Sequence, residues 1–224
     1  MSTLSHLLEK NREWAARTEA AHPGFFQALY QQQAPEYLWI GCADSRVPAN
    51  QIVGLLPGEL FVHRNVANVV VHSDLNCLSV MQYAVEVLRV RHIIICGHYN
   101  CGGVNAALAG LSLGLIDNWL RHVQDVFRHH RSAFDGLPEN KQRARLSELN
   151  VMEQVINACR TTIVQGAWQQ EQPLSVHGCI YDVKDGLLHH LVEDISSVAD
   201  AEALHAGDLK KVKRGVASLP DQAP

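Results

Sequence analysis

Residues 93–96, Ile-Ile-Ile-Cys, are apolar at every position. An uninterrupted run of this kind is typical of a central parallel β-strand, because helices cover both faces of a parallel sheet. The preceding segment, residues 74–90, carries apolar side chains at steps of three and four, which predicts a helix with one apolar stripe. A helix followed by a strand buried on both faces is the repeating unit of α/β folds, so this pair of segments favours that class.

The alternation of strands and helices continues along most of the chain. Further strands are predicted at residues 37–40, 59–63, 174–179 and 187–192. Further helices are predicted at residues 3–20, 24–33, 115–131 and 144–170, and one more begins at Cys101-Gly102-Gly103. The chain is therefore expected to form an α/β fold, with a mainly parallel central sheet flanked by helices.

Composition and charge narrow the class of protein further. The 224 residues suffice for one domain, and no repeat or linker divides them. The net charge of −4 argues against nucleic acid or a membrane as partner, and the basic cluster at residues 210–214 is expected to be a solvated terminus. With neither a targeting signal nor a run of roughly 18 apolar residues, a cytoplasmic protein is expected. Six cysteines in a reducing compartment are expected to be metal ligands or buried thiols.

Two short motifs carry most of the chemical information. Cys42-Ala43-Asp44-Ser45-Arg46 follows the strand at 37–40, and His98-Tyr99-Asn100-Cys101 follows the strand at 93–96. In parallel sheets, ligands bind beyond the carboxyl ends of the strands, where both motifs lie. A lone cysteine is more often a core residue and a lone histidine a structural one, but together these motifs bring sulfur, nitrogen and oxygen donors to neighbouring strand ends. A metal site is therefore predicted, with zinc preferred.

Asp44 decides between two kinds of zinc site. With Asp44 as a fourth protein ligand the site would be closed and structural, whereas three protein ligands leave one position open for water. Arg46 stands two residues further on, and its guanidinium can hold a carboxylate with two hydrogen bonds. The sequence is compatible with both states and with a switch between them. Because two thiolates cancel the charge of Zn²⁺, activity is expected to rise toward alkaline pH.

These motifs, together with residues 59–68, resemble those of the β-class carbonic anhydrases, and the likeness extends from residue 23 to residue 186. The resemblance implies reversible hydration of CO₂ to bicarbonate and a proton by a zinc-bound hydroxide. It implies one Zn²⁺ per chain, with Cys42, His98 and Cys101 as permanent ligands. Asp44 and Arg46 would be the catalytic dyad that orients the hydroxide.

The same resemblance implies a small substrate cleft that is lined partly by a partner subunit. The residues that match its lining are Gln33, Phe61, Val66, Tyr83 and Gly102. Gln33 matches the amide on the substrate side, and the Gly102 N–H is expected near the metal at a helix N-terminus. Without the resemblance, core packing is the simpler explanation for Phe61, Val66 and Tyr83.

Trp39, Arg64 and Tyr181 match residues that form a non-catalytic bicarbonate pocket in a bacterial, bicarbonate-regulated subset of the family. In that subset, bicarbonate and low pH favour the closed state, in which Asp44 ligates zinc. The alternative is an ordinary salt bridge of Arg64 beside two core aromatic side chains.

The resemblance also divides the single domain, residues 1–224, into three parts. Residues 1–34 are expected to be a helical dimerisation arm that packs on a partner subunit through Trp14, Phe25 and Phe26. Residues 35–195 form the zinc core and residues 196–224 a C-terminal tail. A homodimer is expected, and two such dimers are expected to associate as a dimer of dimers.

Two other functions remain open at the level of sequence. A hydrolase of a CO₂ analogue, carbon disulfide or carbonyl sulfide, shares the metal motif. A non-catalytic bicarbonate-binding protein with a permanently closed zinc site is the other alternative, although such a site has no need of an arginine that holds Asp44. The resting state, the choice between dimer and tetramer and the proton shuttle are not decided by the sequence.

Overall fold

The computed structural model describes residues 3–31 and 33–206. The chain divides into two compact units, Met1–Ala34 and Pro35–Pro224. The predicted basic cluster at 210–214 lies outside the described residues, as does the tail beyond residue 206. Within the described residues, no helix is both long and apolar enough to cross a membrane.

The N-terminal unit consists of two helices, α1 (Ser5–Ala21) and α2 (Phe25–Gln31). Neither helix contains a buried residue. Aromatic rings pack within the unit, with centroids 5.6 Å apart for Trp14 and Phe26 and 5.2 Å apart for Phe25 and Phe26. Both predicted helices are therefore present, and they leave apolar side chains of α1 in contact with solvent in the single chain.

The second unit is built on a five-stranded sheet with strand order β2-β1-β3-β4-β5. Its strands are β1 (Tyr37–Cys42), β2 (Leu60–Asn65), β3 (His92–His98), β4 (Ser175–Asp182) and β5 (Leu187–Ile195). The first four strands are parallel, and β5 is antiparallel to β4. The turn between β4 and β5 includes Gly186, whose φ of 77° lies in the left-handed region. The predicted strands and the mainly parallel sheet are confirmed.

Helices connect and cover the strands. They are α3 (Ala49–Val53), α4 (Leu75–Gln82), α5 (Gly102–Ala109), α6 (Ile116–His129), α7 (Glu139–Cys159), α8 (Thr162–Gln169) and α9 (Val198–His205). A π-helical turn, Tyr83–Val87, continues α4, and 3₁₀ turns occur at Val66–Asn68 and Arg131–Phe134. Helices α3 and α9 were not predicted.

The single helix predicted at 144–170 is wrong, because the structure has two helices there. Thr161 separates them: its hydroxyl donates to the Ala158 carbonyl at 2.7 Å and accepts from the Val164 N–H at 3.3 Å. The same side chain therefore satisfies a carbonyl at the end of α7 and an N–H at the start of α8. The apolar pattern continues through this break, which is why periodicity alone did not locate it.

Three apolar clusters fix the sheet and its edge. Helices α4, α7, α8 and α9 cover one face, where Leu38, Ile93 and Val176 are fully buried. Trp39 and Cys179 lie in a smaller cluster on the opposite face. A third cluster, formed by α5, α6 and α7, surrounds the carboxyl edge of the sheet. Because α9 buries its own side chains in the first cluster, the beginning of the predicted tail belongs to the core.

Candidate metal centre

Cys42, His98 and Cys101 come together at the carboxyl edge of the sheet. Cys42 is the last residue of β1 and His98 the last residue of β3, and these two strands are parallel neighbours. Cys101 directly precedes α5. Between His98 and Cys101 the backbone turns back at Asn100, whose φ of 56° is in the left-handed region that asparagine tolerates better than most residues. This turn allows an H-x-x-C motif to present both side chains to one point.

The donor atoms of this trio are buried and close together. Cys42 Sγ and Cys101 Sγ are 3.8 Å apart, and all three ligand atoms lie within 4.8 Å of one another. His98 Nδ1 donates to the Tyr99 carbonyl at 3.0 Å, so in the neutral imidazole the nitrogen that is free to bind a metal is Nε2. Nε2 is buried and, within the described part of the chain, has no hydrogen-bond partner. A buried lone pair without a partner is costly unless something binds it.

These residues fit a tetrahedral zinc ion. Two sulfurs that each lie about 2.3 Å from a tetrahedral zinc are about 3.8 Å apart, which is the separation observed. The imidazole nitrogen without a partner supplies a third donor. Thiolate sulfur and imidazole nitrogen bind zinc well, whereas Mg²⁺ and Ca²⁺ prefer oxygen donors.

The two thiols do not ionise independently. The hydrogen bond between the two sulfurs lowers the pKa of the Cys42 thiol well below its usual range and raises the pKa of Cys101 far above its usual range. Without a cation the pair therefore favours one thiolate and one thiol, whereas a bound cation favours two thiolates. The remaining cysteines are buried, free thiols with raised pKa values, as expected for core residues: Cys77, Cys96, Cys159 and Cys179.

Asp44 is held by Arg46 at the border of this trio. The Arg46 side chain donates to both carboxylate oxygens, at 2.9 and 2.7 Å, and its backbone N–H donates to Oδ1 at 2.9 Å. These hydrogen bonds hold the pKa of Asp44 well below its usual range, so the carboxylate is ionised throughout the neutral and weakly acidic range. Asp44 Oδ2 lies 3.7 Å from His98 Nε2. Of the two arrangements compatible with the sequence, the structure has the one in which Arg46 holds Asp44.

Arg64 holds the backbone that carries Cys42 and Asp44. Its Nε donates to the Cys42 carbonyl at 2.9 Å, and a terminal nitrogen donates to the Asp44 carbonyl at 2.5 Å. Sequence reasoning assigned Arg64 to an anion pocket and missed this contact. Nothing in the sequence signals that a side chain of β2 bonds to backbone carbonyls at the end of the neighbouring strand β1. Arg64 therefore holds the backbone of residues 42–44 against β2 by hydrogen bonds.

Trp39 and Tyr181, the other two residues of the predicted bicarbonate pocket, pack in the cluster on the face opposite α7. The indole Nε1 of Trp39 lies against Gly41, so close that a Cβ at position 41 would overlap it. Gly41 in turn pairs with Arg64 across the β1–β2 ladder. Within the described residues, no hydrogen bond joins the side chains of Trp39, Arg64 and Tyr181, although Gly41 connects the first two.

The residues of the predicted substrate cleft are not all brought together by one chain. Val66 lies against Gly103, and Trp119 donates to the Val66 carbonyl at 2.8 Å. Val66 packs in the same cluster as Cys42 and Cys101, and Gly102 follows Cys101, so both border the metal trio. Phe61 instead pairs with Leu38, four residues before Cys42, about 13 Å along the strand.

Tyr83 lies with Phe61, their ring centroids 5.9 Å apart, and is 46% exposed. Gln33 is exposed and belongs to the N-terminal unit. Core packing, the simpler explanation from sequence, therefore does not account for Tyr83.

Polar side chains on α7 support the loop after β2, and sequence reasoning missed them. Asn150 donates to the Ala67 carbonyl at 2.9 Å, and Gln154 accepts from the Val70 N–H at 2.9 Å. Both side chains are buried. Ala67 and Asn68 have φ values of 65° and 47°, an unfavourable conformation that these bonds stabilise. Polar residues within the apolar stripe of a long helix were the available signal.

Known proteins resemble this chain in sequence. The sequence pattern of the family described as carbonic anhydrase matches residues 37–188. A carbonic anhydrase from Emericella nidulans is 47% identical over 205 residues, covering 91% of this chain and 90% of that protein. A carbonic anhydrase from Pseudomonas aeruginosa is 36% identical, covering 76% of this chain and 80% of that protein.

Solved structures resemble it in fold. A Coccomyxa β-carbonic anhydrase in complex with acetazolamide superposes with a TM-score of 0.88 at 41% identity, covering 94% of this chain and 98% of that chain. One of two tetrameric β-carbonic anhydrases from the filamentous ascomycete Sordaria macrospora superposes with a TM-score of 0.81 at 37% identity. It covers 85% of this chain and 98% of that one.

Proposed function

The chain belongs to the β-class carbonic anhydrases, and on that premise we propose that Cys42, His98 and Cys101 hold one zinc ion per chain at which CO₂ and bicarbonate are interconverted. The observation that carries the proposal is the buried His98 Nε2, without a partner among the described residues, beside two sulfurs 3.8 Å apart. A relative described as a carbonic anhydrase, 47% identical over 91% of this chain, supports this activity over a hydrolase of a CO₂ analogue or a non-catalytic bicarbonate-binding protein. We also propose a cytoplasmic location, as expected from the sequence.

The chain's own residues prepare the site for this reaction. Zinc, when bound, supplies a Lewis acid that lowers the pKa of water. Asp44 offers a fixed hydrogen-bond acceptor at the border of the trio, and Arg46 keeps that acceptor ionised and oriented. The Gly102 N–H at the start of α5 faces the same edge, where backbone donors favour an anionic product. Val66 contributes an apolar wall, which suits a substrate with few groups to hold.

Metal removal tests this assignment. Stopped-flow hydration of CO₂ should require one zinc per chain, disappear on chelation and return on reloading with zinc. The rate should rise from about pH 6.5 to 9, because two thiolates reduce the acidifying effect of the metal. Hydration that persists in metal-free protein, or one zinc per chain without hydration at any pH, would overturn the proposal.

We further propose that the working unit is a homodimer in which each subunit completes the cleft of the other, and that two dimers form a tetramer. Two observations support this. The two N-terminal helices contain no buried residue. Two helices without a buried apolar face are not stable in water on their own. Phe61 and Tyr83 lie away from their own trio on a partly exposed surface, so they are available to a neighbouring subunit, as is Gln33. The Sordaria relatives are described as tetrameric.

Finally, we propose that the chain belongs to the bicarbonate-regulated subset, through Trp39, Arg64 and Tyr181. The hydrogen bonds of Arg64 to the Cys42 and Asp44 carbonyls support a mechanism. Bicarbonate bound to the guanidinium would compete with these bonds and loosen the segment, so that Asp44 leaves Arg46 and closes the metal site. Low pH would favour the same closed state. Asp44 would remain ionised in weak acid, because Arg46 holds its pKa well below its usual range.

The Trp39→Phe variant tests this regulation, because it removes the indole donor and keeps an aromatic ring. Hydration by wild-type protein should be inhibited by added bicarbonate, and the variant should be inhibited less. Zinc content should be the same in both. Equal inhibition of the two proteins would discard the pocket and leave the enzyme assignment intact.

A further inference from the structure

A second group of metal-binding side chains lies on helices α6 and α7. It consists of His129 and His130, at the end of α6, and Glu153 in α7. Their ligand atoms lie within 4.8 Å of one another. His130 Nε2 and Glu153 Oε1 are 2.7 Å apart, so one proton is shared between a nitrogen and an oxygen that are both metal ligands.

The local charge favours a cation at this place. Helix α6 has 14 residues, and the partial negative charge of its C-terminus falls on the turn that carries both histidines. Glu153 adds a full negative charge. The two nearby arginines are engaged elsewhere: Arg128 pairs with Asp125 at 2.7 Å, and Arg131 stacks 4.8 Å over the Phe127 ring. Within the described residues, neither of these arginines forms an ion pair with Glu153.

An open groove of about 530 Å³ borders the cluster. His129 and Glu153 line it, together with His122 and Asp125 of α6. The groove leaves room for water or a further donor beside three protein ligands, as metal ions with incomplete protein coordination require. Asn157 and His72 also line the groove, and His72 is already engaged, because it donates to the Asn157 carbonyl at 3.0 Å.

We propose that His129, His130 and Glu153 form a second metal site, distinct from the Cys42–His98–Cys101 centre, which takes a divalent transition metal such as nickel, copper or zinc from solution. Two imidazoles and one carboxylate suit these ions and offer little to Mg²⁺ or Ca²⁺. The metal takes the place of the proton between His130 and Glu153, and His129 completes the set by a side-chain rotation.

The second site differs from the first in exposure and donors. The His130 and Glu153 side chains are 30% and 19% exposed, whereas the three residues of the first site are at most 4% exposed. Without thiolates and with access to solvent, the second site exchanges its metal readily. A brief treatment with a weak chelator should therefore empty it while the buried centre stays loaded, whereas prolonged treatment with a strong chelator is needed to empty the buried centre.

The experiment uses full-length, tag-free protein that holds one zinc per chain and has been freed of loosely bound metal. Nickel chloride is titrated in by calorimetry, and zinc and nickel are then counted by mass spectrometry. We expect one further nickel per chain with zinc unchanged. His129→Ala and the near-isosteric Glu153→Gln should each weaken this binding by roughly 100-fold or more, since loss of an outer partner alone costs 10–100-fold.

His6→Ala and Glu202→Gln are matched controls, because both residues are exposed and lie on other helices. They should bind nickel as wild type does. The proposal is overturned if no saturable nickel binding occurs beyond the zinc, or if the His129 and Glu153 variants bind nickel as tightly as the controls. Zinc retained in every variant keeps this outcome separate from the fate of the first site.

Discussion

The metal trio and the predicted substrate-cleft residues differ in how a single chain places them. Cys42, His98 and Cys101 are complete within one chain, buried and fixed at two adjacent strand ends. Phe61, near the start of β2, and Tyr83, in the π-helical turn after α4, form a separate aromatic pair on a partly exposed surface. The fold of the single chain brings the first group together at one point, and it does not bring the second group to that point.

This difference reflects what each group must do. A metal ion is bound by a few strong, directional bonds, so two short motifs are enough to hold it. CO₂ offers no charge and few hydrogen bonds, so it needs an enclosing apolar surface, and two subunits can supply that surface together. Zinc binding should then be a property of the chain, while turnover should be a property of the assembly.

The strongest way to break the metal half of this comparison is Cys101→Ser. We expect loss of zinc and a fall in hydration of more than ~100-fold, because a ligand matters more than an outer partner. Cys159→Ser is the matched control, since Cys159 is also buried and, within the described residues, belongs to no group of metal-ligating side chains. Zinc content and stopped-flow rates measure both effects, and an active, zinc-loaded Cys101→Ser protein would exclude the trio.

Arg46→Lys separates metal binding from orientation of Asp44. A lysine keeps the charge but cannot donate to both carboxylate oxygens, so we expect zinc to stay and hydration to fall ~10- to 100-fold. Arg12→Lys, which alters an exposed pair with Glu9 at 2.8 Å, should have no effect. An unchanged rate in Arg46→Lys would mean that the bidentate hold on Asp44 is not needed for catalysis.

Gly41→Ala sharpens the comparison at the Trp39 side of the sheet. The new methyl group cannot coexist with the indole in its present place, so Trp39 must move while Cys42 stays at the strand end. We expect inhibition by bicarbonate to weaken several-fold with zinc unchanged. Gly166→Ala, in α8 with open space around it, is the control. Inhibition equal to that of wild type after the change would count against a role for Trp39.

A change at His177 is expected to have the smallest effect of these variants. It separates the loss of folding stability at low pH from the effect of low pH on the Cys42–His98–Cys101 centre. Burial, and then His92 at 3.1 Å, lower its pKa in the folded chain. An unfolded histidine titrates near 6.5. Between the two pKa values the unfolded chain binds more protons, so stability is full above about pH 6.5 and falls as the pH drops through that window.

His177→Gln should remove part of this acid weakening. Thermal unfolding from about pH 8 to 5.5 should show a shallower decline in Tm for the variant than for wild type or for His6→Gln. Identical declines in all three proteins would show that His177 does not contribute. Low-pH inhibition that persists in His177→Gln would belong to the metal edge and not to the fold.

The sequence predicted the metal trio because the information is local. Each motif adjoins an apolar strand, and parallel strands must end at the same edge. The Asp44–Arg46 pair was predictable for the same reason, since the two residues are two positions apart.

Contacts between distant segments were not predictable. Arg64 bonds to carbonyls, which have no residue identity, and Asn150 holds Ala67 across 83 positions of sequence. Thr161 divides a continuous apolar pattern by one hydroxyl. The cluster of His129, His130 and Glu153 depends on how α6 packs on α7, which periodicity does not fix.

Mixing two impaired variants tests most directly whether metal and cleft come from different subunits. Cys101→Ser lacks the metal centre, and the double variant Gln33→Ala, Tyr83→Ala keeps the metal but lacks exposed cleft side chains. Each should be strongly impaired alone. When the two are co-expressed in equal amounts, a mixed dimer contains one site with intact ligands and an intact cleft, and hydration should return to about a quarter of the wild-type rate per chain. If Gln33 and Tyr83 instead serve their own chain, no mixed dimer has an intact site, and the rate would stay at the mean of the two variants, which would contradict the account.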